Sequence, residues 1–229
     1  MMKYAELYHH TMRFVTLFSL SVHCLDGIIM LKGSAAMSDE LLLKEKKRLR
    51  RELLAKRSSL SEDYLRAAGD DIAGRLLSSP LYAAAGSIFV YVSMPGEPPT
   101  DRIISQALSE GREVYVPKCA GGEMIAVKIQ SPADLRPGTM GIPEPELMEE
   151  TKTADELGLI IVPCVAAAED GRRLGHGGGY YDRFLSREHE NAVCLCFRQL
   201  LCPDIPEGRY DVRIRHILTE GFEIGFQFT

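Results

Sequence analysis

The sequence predicts an α/β protein built on an open, largely parallel twisted sheet with helices on both faces, and three observations carry that expectation. ELGLIIVPCVA at 156–166 is a near-continuous apolar run, as an interior parallel strand buried on both faces requires. Short β-branched and aromatic runs alternate with capped helical segments, the pattern of crossover connections. A glycine-rich loop, Gly175-His176-Gly177-Gly178-Gly179, follows the apolar run and leads into an apparent helix.

Residues 38–57 are dense in Leu, Lys, Arg and Glu without Gly or Pro, so they read as a helix that Ser38 caps. Ser61 then caps a second helix running to about Ser79. GSIFVYVS at 86–93 reads as a strand. Pro98 and Pro99 bar its continuation, Thr100 caps a helix through Leu108, and Gly111 ends that helix before the strand REVYVP, which completes a βαβ unit. EMIAVKI at 123–129 reads as a further strand, SPADLRPGTMGIPEPE as an ordered proline-rich loop, and NAVCLCF at 191–197 as another buried strand. The sum is a three-layer, Rossmann-like single domain whose ligand sites are expected at the carboxyl ends of its strands.

The chain of 229 residues is 45% hydrophobic and 26% charged, which excludes disordered and collagen-like classes. A net charge of -5 argues against a surface shaped to neutralise nucleic-acid phosphate. Six scattered cysteines with no CxxC pair indicate neither a zinc module nor a disulfide framework, so a cytoplasmic protein with reduced thiols is expected. Met12 to Leu31 is mostly apolar, but His23 and Asp26 interrupt it before a span of about 20 residues is reached, and its match to a secretory signal is loose. No membrane association is expected. Residues 1–36 are expected to be a dispensable extension, disordered or a start-site artefact, with 37–229 the working α/β domain and a monomer the expected state.

The chemistry concentrates after the apolar run, in Arg172-Arg173-Leu174-Gly175-His176-Gly177-Gly178-Gly179-Tyr180-Tyr181-Asp182. A glycine loop lets backbone N–H groups approach anionic oxygens, and arginine supplies a full charge and a bidentate fork. A flexible turn would explain glycines alone. It would not explain Arg173 ahead of them and Tyr180, Tyr181 and Asp182 behind, whereas a nucleotide site uses cation, aromatic wall and metal carboxylate together. The spacing is neither a Walker A loop nor a dinucleotide fingerprint.

KKRLR with a later Arg57, YVSMPGEPPT, GIPEP, VPCVAAAEDGRRLGHGGGYYDRFL, IPEGRYD and ILTE occur in that order between about Lys46 and Glu220. In these segments the chain resembles the 5-formyltetrahydrofolate cyclo-ligase family, also called 5,10-methenyltetrahydrofolate synthetases. The resemblance implies an enzyme that uses ATP and Mg2+ to turn 5-formyltetrahydrofolate into 5,10-methenyltetrahydrofolate, ADP and phosphate. A formamide oxygen is a poor leaving group, so cyclisation by N10 requires that oxygen to be phosphorylated first. Phosphoryl transfer needs alignment and cationic stabilisation more than a protein nucleophile.

By the same resemblance, Lys46, Arg50, Arg173, Leu174, Gly175, His176, Gly177, Gly178, Gly179 and Tyr181 bind ATP. Val92, Glu97, Met140, His176 and Tyr180 meet the folate, Arg173 and Tyr180 serve the chemistry, and Asp182 and Asp211 hold Mg2+. Plainer readings stand beside these roles. Lys46 and Arg50 share a helix crowded with Lys47, Arg48, Arg51 and Lys56, which composition alone reads as a solvated basic face. Glu97 and Asp211 fit turns, Val92 and Met140 fit a core, and Asp182 fits the start of a helix. Two departures from the family pattern are visible. Gln199 stands one position early after Phe197 and takes no role, and Arg215 replaces a usual second aspartate, placing the opposite charge near Asp211. Two rival functions are a non-catalytic relative that keeps the nucleotide cradle and a sugar-phosphate isomerase or acyl-CoA transferase on a similar sheet, the latter needing no ATP.

Overall fold

The computed structural model describes residues 38–138, 141–146 and 150–225, which lie within one compact unit spanning Met37–Thr229. The expectations for residues 1–36 and for Met140 fall outside the described residues.

Three serines start the first three helices. The Ser38, Ser61 and Ser79 side chains accept from the backbone N–H of Leu41, Tyr64 and Tyr82, opening α1 (Asp39–Ser58), α2 (Glu62–Leu77) and α3 (Pro80–Ala84). The short α3 was not expected; Pro80 at its first turn supplies a preset φ for a new start. After β1 (Ser87–Val90) the chain reaches α4 (Asp101–Ser109). Thr100 stands at its N-cap position but does not cap it with its side chain, which corrects the sequence reading. Its hydroxyl donates to Tyr91 O at 2.7 Å and accepts from Ser93 N at 3.2 Å, so it ties down the β1–α4 loop instead.

β2 (Glu113–Ala120) and β3 (Glu123–Ile129) form an antiparallel hairpin. The segment read as a proline-rich loop contains the small antiparallel pair β4 (Leu135–Pro137) and β5 (Pro143–Pro145). β6 (Thr151–Lys152), β7 (Leu159–Val162), the two-residue strands β8 (Ala166–Ala167) and β9 (Arg173–Leu174), α5 (Tyr180–Leu185), β10 (Ala192–Leu195), β11 (His216–Leu218) and β12 (Glu223–Gly225) complete the order.

The main sheet has the strand order β12-β11-β10-β7-β1-β2-β3-β6. The central run from β11 through β10, β7 and β1 to β2 is parallel, while β12 at one edge and β3 and β6 at the other are antiparallel. Every residue of β1, β7 and β10 is buried, so both faces of the sheet are covered, as their continuous apolar runs require. Among the described residues no helix is long and apolar enough to cross a membrane.

A second apolar cluster fixes α1. Leu49 and Leu53 pack with Val165, Ala166, Ala168, Leu174 and Ile205, docking the helix on the β8–β9 hairpin. Residues three, four and seven apart share a helix face, so this packing carries Lys46, Arg50 and Arg57 inward with the leucines. Those three are half-buried, whereas Lys47, Arg48, Arg51 and Lys56 are exposed.

Candidate active site at the strand carboxyl ends

β1 and β7 are parallel neighbours, with Phe89 beside Ile160 and Val90 beside Ile161, so the loops leaving their carboxyl ends emerge side by side. The first loop carries Glu97; the second passes through β8 and β9 to the glycine run.

The Glu97 loop is tied at several points. Tyr91 Oη donates to Pro98 O at 2.7 Å, Thr100 N to Ser93 Oγ at 3.2 Å, and Glu97 N to Met94 O at 3.0 Å. Glu97 Oε2 accepts from Met94 N at 2.9 Å, and the side chain is only 6% exposed. His176 Nε2 lies 3.0 Å from the other oxygen, Oε1, and joins the glycine loop to this carboxylate. Burial holds the nearby phenols of Tyr91 and Tyr181 well above their ordinary pKa, with Glu97 adding to the rise, so both remain protonated donors at neutral pH.

The glycine loop is held from α1 and from behind. Arg50 Nε donates to Gly175 O at 2.7 Å, and burial lowers the pKa of this guanidinium. Gly177 has φ +105°, and a Cβ there would approach Arg50 Cζ to 3.2 Å, so this position requires glycine on two counts. Arg183, to which sequence reasoning assigned no role, reaches Gly178 O at 2.9 Å and Gly122 O at 3.0 Å, and lies 5.0 Å over the Tyr180 ring.

Arg173 is 4% exposed and donates to Asp182 Oδ1 at 2.9 Å, while its Nε is buried without a hydrogen-bond partner. Asp182 Oδ1 also accepts from Val212 N at 3.1 Å, which brings the tail segment alongside. The neighbouring Asp211 accepts through Oδ2 from Lys46 Nζ and from Gly208 N, the latter at 2.6 Å. Each aspartate therefore commits one oxygen and leaves the other without a protein donor among the described residues.

The expected residues thus divide. Lys46 meets Asp211, Arg50 meets Gly175, Arg173 meets Asp182, and His176 meets Glu97. Val92 and Leu174 have their side chains in the apolar core, and Tyr181 packs its ring 6.2 Å from Phe89. Asp182 stands in the first turn of α5, so its helix-start reading holds beside its ion pair. Arg215 donates to Glu190 Oε1 at 2.8 Å, and Gln199 meets Tyr64 Oη through its backbone N–H at 3.4 Å. Among the described residues no cluster of three His, Cys, Asp or Glu stands ready for a metal.

Fold and loop together define an α/β protein with a glycine-rich, arginine-backed loop at the carboxyl ends of adjacent parallel strands, the place where such folds bind ligands. Comparison with known proteins narrows that class. Residues 43–220 match the model of the 5-formyltetrahydrofolate cyclo-ligase family, and the chain belongs to that family. A Caenorhabditis elegans relative named as a probable 5-formyltetrahydrofolate cyclo-ligase is 36% identical over 167 residues, covering 66% of this chain and 81% of its own. The 5-formyltetrahydrofolate cyclo-ligase of Escherichia coli (strain K12) is 31% identical over 171 residues, covering 72% and 94%. The solved structure of Aquifex aeolicus 5,10-methenyltetrahydrofolate synthetase superposes with a TM-score of 0.73 at 30% identity, covering 80% of this chain and 94% of that one.

Proposed function

We propose that this protein uses ATP to convert 5-formyltetrahydrofolate into 5,10-methenyltetrahydrofolate, with ADP and phosphate released. The observation that carries this reading is the 3.0 Å contact between Glu97 and His176. It puts a buried carboxylate suited to pterin N–H groups against the wall of a glycine cradle suited to phosphates, so two ligands can meet there in line.

The reaction places the formyl oxygen on the γ-phosphorus as ADP leaves. N10 then attacks the activated formyl carbon, loses its proton and expels phosphate. Lys46, Arg50 and Arg173 supply cationic charge to the phosphoryl group, with the arginine forks best matched to its oxygens. Arg173 Nε, buried and unpartnered, is a donor awaiting an acceptor. Backbone N–H groups of Gly175 to Gly179 bind without needing a side chain, and Tyr180 lines the folate side.

A Mg2+ ion fits the donor set of Asp182 and Asp211, because this ion commonly keeps waters and takes one or two carboxylates besides phosphate oxygens. Bound there, it would neutralise charge on the phosphates, and the two aspartates would hold it through their uncommitted oxygens. The family-model match over 43–220 supports a catalytic unit that does not include residues 1–36. The five described cysteines are free thiols, which supports a reducing, cytoplasmic setting. Among the described residues only Leu41, Leu43 and Tyr210 are large exposed hydrophobics, which supports a monomer.

The test is growth of the methenyl chromophore on mixing protein with 5-formyltetrahydrofolate. Growth with MgATP and none without it is expected. Folded protein that binds both ligands yet never forms the chromophore would make it a non-catalytic relative.

A further inference from the structure

The arrangement around Glu97 contains one contact too many on one side and one too few on the other. Oε1 is occupied by His176 Nε2 at 3.0 Å. Arg57 Nη1 lies 3.8 Å from the same oxygen, beyond hydrogen-bond reach, and is buried with no hydrogen-bond partner. The two groups are held very differently. His176 is 49% exposed and sits in the glycine loop directly before Gly177, whose φ is +105°. Arg57 is 13% exposed and runs along the Glu97 loop, where a Cβ on Gly96 would touch its Cγ, Cδ and Nε at 3.5–3.7 Å.

The edge of a pterin carries an amino group and a ring N–H side by side, two parallel donors that match the two oxygens of one carboxylate. Oε2 keeps a spare lone pair beside Met94 N, but Oε1 is occupied by the imidazole. We propose that His176 is a stand-in for the pterin on Glu97 and is displaced by it, and that Arg57 is the positioning residue that takes up the carboxylate once His176 has gone. This rests on the folate reading above. Displacement is cheap on the His176 side, because a half-exposed imidazole on a glycine-flanked loop regains water when it leaves. It is favoured on the Arg57 side, because a buried N–H without an acceptor is costly and a small shift of Oε1 satisfies it. Departure of His176 also unhooks the cradle from the folate wall, so folate binding and loop position are linked.

Calorimetric titration of 5-formyltetrahydrofolate in the absence of nucleotide tests this on the full chain. Removing a competitor worth one ordinary hydrogen bond should tighten binding roughly three- to tenfold in His176→Ala. In a Glu97→Gln background the same His176→Ala change should have no effect, since the contest for the carboxylate has been abolished. Arg57→Gln should weaken folate binding about tenfold, Arg57→Lys should recover part of that loss, and neither should move ATP affinity. Unchanged or weaker folate binding in His176→Ala, or tightening that persists in the Glu97→Gln background, overturns the stand-in. ATP losses in Arg57→Gln equal to the folate losses overturn the positioning role. A native protein that binds ATP but takes up no 5-formyltetrahydrofolate overturns the folate reading itself, and the stand-in with it.

Discussion

The two halves of the site are built on opposite plans. On the phosphate side Lys46 and Arg173 are already paired with carboxylates, Asp211 and Asp182, and Arg50 with the Gly175 carbonyl. On the pterin side one buried carboxylate, Glu97, is held by a tied loop with a surplus donor, Arg57, at hand. On the proposed reading, phosphate oxygens therefore draw on cations that the protein already holds in place, with Arg173 Nε and the uncommitted oxygens of Asp182 and Asp211 left open for phosphate and metal. On the same reading the pterin meets a carboxylate whose loop is already fixed and displaces only His176 from it. This difference predicts that phosphate-side substitutions act mainly on the chemical step and pterin-side substitutions on the binding of one ligand.

The largest effect is expected at Arg173. On the proposed reading, replacing it with alanine removes a buried fork from the transferring phosphoryl group, and kcat should fall by roughly a thousandfold, by analogy with loss of one preorganised transition-state donor. Stability should fall by only ~1–2 kcal/mol, because Asp182 is partly exposed and keeps its bond from Val212. Arg173→Lys should rescue in part, restoring charge without the fork. Near-normal turnover in a folded Arg173→Ala protein would take Arg173 out of the chemistry and leave the phosphate side without its main cation.

Gly177→Ala comes next. The new methyl group would sit at φ +105° and 3.2 Å from Arg50 Cζ, a strain of about 1–3 kcal/mol that the loop relieves by moving off Arg50. Turnover and ATP affinity should both drop, about tenfold in kcat/KM, with folate affinity less affected. Equal losses for both ligands would show that the two halves respond as one unit and break the comparison.

Much of this was readable from the chain alone, and what was not has physical causes. The buried parallel core was legible because β1, β7 and β10 are apolar on both faces, and Ser38 and Ser61 cap as their positions implied. The antiparallel edges were not, since pairing direction at β3 and β6 leaves no mark on local pattern. Thr100 misled because its hydroxyl had a closer partner in Tyr91 O than in its own helix. Among the eight basic residues of α1, the inward three follow from Leu49 and Leu53 at helical spacing, a signal present in the sequence but outweighed by the charge around it. Arg57 belongs to that face and was quoted only as part of a motif. The pairing of Glu97 with His176, 79 positions apart, comes from the adjacency of β1 and β7 and has no sequence signature.

Glu97→Gln sharpens the comparison from the other side. The amide keeps the shape but turns one acceptor into a donor facing the pterin N–H groups, so KM for 5-formyltetrahydrofolate should rise about tenfold. ATP affinity should stay nearly constant, as separate titrations of the two ligands would reveal. Parallel losses for both, or none for either, would return Glu97 to the status of a turn residue.

The smallest effect is expected at Arg215, where charge acts from a distance rather than by contact. Its guanidinium is held by Glu190, an exposed partner, while Asp211 is held by Lys46. Arg215→Asp reverses a charge that opposes a divalent cation near Asp211, so the Mg2+ concentration for half-maximal activity should fall. Solvent screening limits the gain to roughly twofold at physiological ionic strength, and it should grow at low salt and vanish at high salt. The salt dependence is the decisive reading, because a change acting through altered packing would persist at high salt. A magnesium titration that Arg215→Asp leaves unmoved at low salt as well would mean that the tail carboxylate does not hold the metal, and the metal site on the phosphate side would then rest on Asp182 alone.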